Sequence, residues 1–408
     1  MAISGNIEEY DYPLPSSRIA QFPLEKRDES KLLIWKQGKI SESIFAKIGD
    51  QLPDSSILVF NDTRVIRARL IFSKKTGATI EVFCLEPLKP TSEVAAAFAQ
   101  TGGSTWKCLV GNVKRWKDGI LEKSFIVDGD SYILFAEKID DMGDGCFAIT
   151  FRWLPSQLSF SEIIELMGVI PLPPYITRAA GDTDSQRYQT IYAKHEGSVA
   201  APTAGLHFTE SSLNILKNKN IDFYNVTLHV GIGTFRPVSV KNIAEHIMHY
   251  ERISVELSTL QDLINNSQKP VFAVGTTSVR TLESLYWLGV KLIVDGEKVH
   301  PKVNQWDAYD ERYSKGISYI EALTALTEHL IRTGRDQYNG ETALMIVPGY
   351  SFRVVEGMIT NFHMPQSTLL LLVAAFIGQE WKGAYEYALS HNFRFLSYGD
   401  ACLFFRRY

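Results

Sequence analysis

Three histidines stand at places where a side chain can be both held and reached. His207 follows a small-residue run, Ser198–Gly205, and His229 follows Val226-Thr227-Leu228 just before Gly231 and Gly233. Each sits where a regular element meets a glycine-bearing turn, the rim position at which proton-transfer groups are commonly found. A lone strand histidine can equally be a hydrogen-bonded structural residue, and a short G-x-G is weak evidence for a nucleotide. His363 precedes Pro365 and an apolar helix. The positive end of that helix would lower its pKa and keep the ring neutral, as a general base requires. A second pattern is the run Val271–Val274 followed by Gly275-Thr276-Thr277-Ser278. Strand, glycine-hydroxyl turn and helix together form an anion site. Arg280 and Glu283 follow in the first turns, although Thr277 or Ser278 could simply cap the helix. Asp400, in the turn Tyr398-Gly399-Asp400, reads either as a cap or as an acceptor for a ligand hydroxyl.

The elements that must position these groups can be read from the periodicity. Thr209 is placed as the N-cap of a helix carrying Leu213 and Leu216. The next strand alternates, with Val226, Leu228 and Val230 on one face and Thr227 and His229 on the other. Val271–Val274 is apolar throughout, the pattern of a buried parallel strand, and the helix after it turns Val279, Leu282, Leu285 and Leu288 inward. Pro13, Pro15 and Pro23 exclude a long helix near the start. Strands are expected at 31–35 and 57–60, helices at 160–167, 258–265 and 317–331. The last of these is opened by the capping box Ser318-x-x-Glu321.

Between about 67 and 152 the texture is β-like: 78–85, 106–110, 124–127, 132–136 and 146–152 alternate or run apolar between turns. The expected fold class is therefore an α/β main domain (1–66 and 153–408) with an inserted small all-β, barrel-like domain (67–152). Two basic groups stand out. Arg64, Arg67, Arg69, Lys74 and Lys75 read as a phosphate-contacting edge or a solvated face. Lys114, Arg115 and Lys117 with Trp106 and Trp116 could stack a base and hold phosphate, or form an ordinary surface turn.

At 408 residues, 45% hydrophobic and 22% charged, the chain has an ordinary globular composition. Its net charge of −4 offers no general attraction to nucleic acid, so any RNA contact must be local. Cys84, Cys108, Cys146 and Cys402 are scattered, which reads as reduced thiols in a cytoplasmic protein with neither disulfides nor zinc. The N-terminus carries acids and no apolar run, and 369–377 is too short to span a bilayer, so no membrane partner is expected.

Seven stretches then carry a resemblance. They are YDYPLPSSRIAQFPLEKRDESKLLI, LVFNDTRVIRARL (58–70), PLPPYI (171–176), the whole of 188–238, AVGTTSVRTLES (273–284), TNFHMPQSTLLLLVAAF (360–376) and YGDACLF (398–404). In this order the chain resembles the S-adenosylmethionine:tRNA ribosyltransferase-isomerase family. The resemblance implies transfer and rearrangement of the ribosyl part of S-adenosylmethionine onto 7-aminomethyl-7-deazaguanine in tRNA. Epoxyqueuosine in tRNA is formed, with adenine and methionine released. S-adenosylmethionine is then consumed as a co-substrate, no metal is needed, and the partners are tRNA and that co-substrate, with the chain a monomer.

On that resemblance His207, His229 and His363 are the proton-transfer candidates. The Gly275, Thr276, Thr277 turn with Arg280 would hold a carboxylate or phosphate. Asp62 and Asp400 would take ribose hydroxyls or the aminomethyl group. Arg64, Thr203, Gly231, Gly233, Thr234, Glu283 and Asn361 complete the substrate set, and Arg67, Arg69, Lys114 and Arg115 the RNA contacts. The segment 291–340 and the turn 111–115 depart from the family pattern, which admits a diverged paralogue acting on another RNA or nucleoside. A non-catalytic RNA-binding relative is the alternative outside enzymes. The segment itself could be a lid, an oligomer contact or a decoration.

Overall fold

A computed structural model describes residues 5–74, 76–127, 129–143, 145–231, 238, 240–296 and 301–407. Among these residues the main sheet has ten strands, in the order 302–303, 337–342, 251–256, 222–228, 57–61, 271–274, 357–361, 401–405, 31–36, 39–44. Its centre is parallel: Asp222–Leu228, Ile57–Asn61, Val271–Val274 and Gly357–Asn361 all run the same way. The last three are buried along their whole length, as expected of strands covered on both faces. Because the four run together, their carboxyl ends emerge along one edge. There the chain continues into His229, Asp62-Thr63, Gly275–Thr277 and Phe362-His363, and this edge is where an open α/β sheet presents its ligand crevice.

The helix Thr276–Asp295 starts at that edge and buries Val279, Leu282, Leu285 and Leu288 in the main core, as the periodicity required. Thr209 caps the helix Glu210–Asn218 and Ser318 caps Tyr319–Arg332, each through a capping box. The described part of the segment 291–340 builds onto the main sheet. Gln337–Thr342 pairs with Glu251–Glu256, Lys302–Val303 pairs with Gln337–Thr342, and together they extend the main sheet at its edge. Gly289 lets the Tyr319–Arg332 helix lie close against the long helix. A Cβ at that position would sit 2.0 Å from the Ala322 carbonyl oxygen.

The second sheet has seven antiparallel strands among the described residues, in the order 168–169, 69–73, 79–89, 103–111, 146–154, 130–143, 121–127. It curls into a half-barrel, and Lys123 Nζ on the last strand donates to the Met167 carbonyl beside the first at 2.6 Å. The helix Phe160–Met167 closes its core through Phe160, Ile163, Ile164 and Met167. Three details differ from the sequence reading. The β domain does not end at 152, because its strand runs to Leu154 and Gly168–Val169 returns to pair with Arg69–Leu70. Val94–Phe98 forms a short helix in a region expected to hold only strands. Trp106 and Trp116 are core residues, 1% and 0% exposed, so neither ring is available to stack a base. Large aromatics are what a curled seven-stranded sheet needs to fill its concave face.

Candidate active site

Two depressions lie back to back at the carboxyl edge of the parallel strands. One is a cavity of about 330 Å³, of the size that takes a small molecule. Thr203, Gly275, Thr276, Thr277, Asn361 and His363 line it. The other is an open groove of about 1210 Å³ between the main sheet and the half-barrel. His229, His195, Lys194, Thr227, Arg252 and Lys302 line that one. The partition between them is only a strand thick. His229 faces the groove and Val230 the cavity, while Val230 N donates to Ser198 Oγ at 3.0 Å and its carbonyl accepts from Val199 N at 3.2 Å.

The cavity holds buried polar atoms that the protein leaves unanswered. Thr277 Oγ1 and Asn361 Oδ1 have no hydrogen-bond partner, although Thr277 is 9% and Asn361 3% exposed. Such atoms are costly unless a ligand or water meets them. The helix after Gly275 has no side-chain cap, and Gly275, at φ 89°, starts it without one. Ser278 turns away, donating to the Val274 carbonyl at 2.8 Å. The two threonines therefore face the cavity instead of capping the helix.

The three histidines part company here. His363 lines the cavity, and its Nε2 shares a hydrogen bond with Thr360 Oγ1 at 3.0 Å. Burial pulls its pKa down to about 3. The helix it precedes begins at Thr368, several residues on, so burial and not the helix dipole keeps the ring neutral. His229 faces the groove, its Nδ1 2.9 Å from Thr63 Oγ1. Burial, and then the nearby His195 and Arg252, lower it to about 4. His207 reaches neither depression. It lies behind the cavity wall, with Nδ1 2.8 Å from Ser30 Oγ and Nε2 3.0 Å from Asn361 Nδ2, and burial lowers it to about 3.

Several candidates are already occupied. Arg280 points away from the cavity, ion-paired with buried Glu251 and donating from Nε to the Leu344 carbonyl at 3.1 Å. Its Nε and Nη1 therefore brace the sheet, while its Nη2 is buried without a partner. Glu283, 0% exposed, accepts from Tyr350 Oη and from the backbone N–H groups of Arg353, Val354 and Val355. Asp400 accepts from the backbone N–H groups of Lys31 and Arg394 at 3.1 and 2.7 Å, the turn-capping alternative.

Asp62 is buried beside the groove. It accepts from Thr227 Oγ1 at 2.7 Å, lies 3.7 Å from His195 Nε2, and is raised in pKa by burial. Gly231 N donates to Glu251 Oε1 at 3.3 Å. Gly233 and Thr234 lie outside the described residues, as does Lys75. Arg67 is paired with Glu165 and Arg69 with Glu81, so both guanidinium charges are already balanced, whereas Arg64 is exposed. Lys114 and Arg115 are exposed beside Lys74 and Lys117.

Sequence reasoning missed His195 and Lys194. They reach the groove because His195–Ser198 pairs in parallel with Thr63–Val65, a contact between distant segments that no local pattern announces. Among the described residues no group of three or more His, Cys, Asp or Glu could hold a metal, and no helix is long and apolar enough to cross a membrane.

A mixed sheet with a parallel centre, carrying a small-molecule cavity against a wider groove walled by an inserted half-barrel, defines an α/β enzyme architecture with room for two reactants. Comparison with known proteins makes this specific. The chain belongs to the queuosine biosynthesis protein family, whose model matches residues 7–404. It is 35% identical over 402 residues to the S-adenosylmethionine:tRNA ribosyltransferase-isomerase of Trichlorobacter lovleyi, covering 97% of this chain and 99% of that one. It is 38% identical, with the same coverage, to the protein of that name from Thermotoga petrophila. Among solved structures it is similar to S-adenosylmethionine tRNA ribosyltransferase from Thermotoga maritima, with 29% identity, 97% and 99% coverage and a TM-score of 0.46.

Proposed function

We propose that this chain is an S-adenosylmethionine:tRNA ribosyltransferase-isomerase. It moves and rearranges the ribosyl part of S-adenosylmethionine onto 7-aminomethyl-7-deazaguanine in tRNA, releasing adenine and methionine. The observation that carries the reading is the pair of depressions sharing one thin wall at the carboxyl edge of the sheet. A group transfer between a small molecule and a polymer needs a fitted pocket for the first and a wider groove for the second.

The cavity takes S-adenosylmethionine, with Thr277 Oγ1 and Asn361 Oδ1 as its unmet polar contacts and Thr203, Gly275 and Thr276 as its walls. The carbon next to a sulfonium is acidic, and a neutral imidazole in the cavity is suited to take its proton. That role falls to His363. The groove takes the modified nucleoside, where His229, with Asp62 and His195 close by, handles protons on the acceptor side. Arg64, Lys114 and Arg115 are free to meet phosphates outside the groove, whereas Arg67 and Arg69 would first have to leave their carboxylates. In the same reading the enzyme works in the cytoplasm as a monomer, without a metal. Its catalytic part is 1–66 with about 170–408, and its insert, completed by the helix Phe160–Met167 and the strand Gly168–Val169, is 67–169.

The test is a single-turnover assay with S-adenosylmethionine and tRNA carrying 7-aminomethyl-7-deazaguanine, following released adenine. Release that depends on the modified base supports the reading. No release from folded protein that still binds S-adenosylmethionine overturns it in favour of a paralogue with another acceptor. That outcome would direct attention to Lys302, Gln337 and Asn339, through which the 291–340 segment walls the groove.

A further inference from the structure

His207 looks like a catalytic residue in sequence, yet it touches neither depression. Its contacts give it a different task. The amide of Asn361 sits between His207 Nε2 at 3.0 Å and the Asp400 carbonyl oxygen at 3.5 Å, both on its Nδ2 side. A backbone carbonyl only accepts, so the opposite amide orientation would bring two oxygens together there. Asp400 therefore selects the NH₂ end independently of the histidine. With Nδ2 donating to it, Nε2 of a neutral His207 carries no proton, and Nδ1–H is left to donate to Ser30 Oγ at 2.8 Å. The ring is held in place against Phe45, with centroids 5.1 Å apart. What remains of the amide is Oδ1, buried and without a partner on a residue that lines the cavity, as is Thr277 Oγ1.

We infer that His207 is a positioning residue that fixes the Asn361 amide with its carbonyl oxygen toward the cavity, making the pocket select its ligand by an N–H donor. The inference rests on the functional reading above and adds to it the polarity of the recognition. Asn361 Oδ1 can only accept, so the matching ligand must present N–H there. On S-adenosylmethionine two groups do so, the exocyclic amine of adenine and the ammonium of the methionine end. A ligand that places an oxygen at that point strands a buried acceptor, which lowers binding by about tenfold or more.

The experiment measures equilibrium binding of three molecules to the full chain. They are S-adenosylmethionine, its inosine analogue (a carbonyl in place of the adenine amine), and its desamino analogue (no ammonium). The wild type is expected to bind one analogue at least about tenfold more weakly than S-adenosylmethionine. Which analogue loses affinity identifies the group Asn361 reads. In Asn361→Leu and in His207→Phe that preference collapses to within about twofold, while loss of fold alone would weaken all three ligands alike. Should His207→Phe fail to fold, Ser30→Ala removes one acceptor of the ring and leaves the Arg27 backbone beside it. It then reduces the preference part way and lowers the melting temperature by a few degrees, as the loss of one buried hydrogen bond requires. A wild-type preference that survives intact in Asn361→Leu overturns the inference, as does a wild type that binds both analogues as well as S-adenosylmethionine. Either result leaves the functional reading standing. Failure of the wild type to bind S-adenosylmethionine at all refutes that reading first and the inference with it.

Discussion

Glu283 offers the sharpest test of which groups near the cavity are structural. Its carboxyl is fully buried and takes hydrogen bonds from Tyr350 Oη at 2.7 Å, Arg353 N at 2.9 Å, Val354 N at 3.0 Å and Val355 N at 3.1 Å. Trp287 Nε1 in turn donates to Tyr350 Oη at 2.8 Å, so one side chain ties the 350–355 loop to the long helix. Glu283→Leu strands four buried donors at about 1 kcal/mol or more each, so a loss of at least about 4 kcal/mol is expected. That is a large part of the total stability of a typical domain, about 5–15 kcal/mol. Glu283→Gln keeps one oxygen and places an NH₂ against the remaining donors, for a loss of about 1–3 kcal/mol. Burial also raises the pKa of this carboxyl. Its folded pKa lies above its unfolded one, so its contribution is full at low pH and is lost as pH rises through the folded value. The glutamine variant, which cannot ionise, lacks that dependence. Urea denaturation gives the stability and calorimetry the affinity for S-adenosylmethionine. The expected result is a lower midpoint with the dissociation constant within about twofold of wild type. An unchanged midpoint with binding weakened tenfold would show that Glu283 meets the ligand, and the reasoning would be wrong.

Three further outcomes follow from the same geometry. His207, His229 and His363 are held neutral by burial, with pKa values lowered to about 3, 4 and 3 from 6.5. Their folded values lie below the unfolded one, so their contribution is present above pH 6.5 and is lost as pH falls from there toward 4 to 3. Between pH 6.5 and 5.5 each accounts for about 1 kcal/mol, and a flat denaturation midpoint over that interval would contradict the burial argument. Gly289→Val drives a side chain into the Ala322 backbone, and a melting temperature within a degree of wild type would show that the two helices can separate there at no cost. Lys194→Ala and Lys302→Ala, both on the groove, should each reduce the salt dependence of tRNA binding by about one phosphate contact and leave affinity for S-adenosylmethionine alone. Filter binding across salt concentrations separates the two effects, and an unchanged slope would move the tRNA away from this groove.

What could be read in advance followed the range of the physics that writes it. Val271–Val274 was legible because burial on both faces leaves an all-apolar strand, and the helix after it because Val279, Leu282, Leu285 and Leu288 recur every third residue, although the structure buries it on all sides from Thr276 to Lys291. Ser318 and Glu321 were legible because a capping box is complete within four residues. His195 was not, since its place beside Asp62 depends on a pairing between segments more than a hundred residues apart.

The misplacement of Arg280 and Glu283 has a simpler cause. With Thr276 they share one helical face at spacings of four and three, so a reading by face puts all three at the same site. A helix also climbs about 1.5 Å per residue, which carries Arg280 about 6 Å and Glu283 about 10 Å along the axis from Thr276. At those depths the helix has left the sheet edge and entered the core, where a charge must find a partner within the protein. Arg280 finds Glu251, and Glu283 finds the 350–355 loop. The ligand-facing part of such a helix is therefore confined to its first turn, and the unanswered hydroxyl of Thr277 lies within that turn.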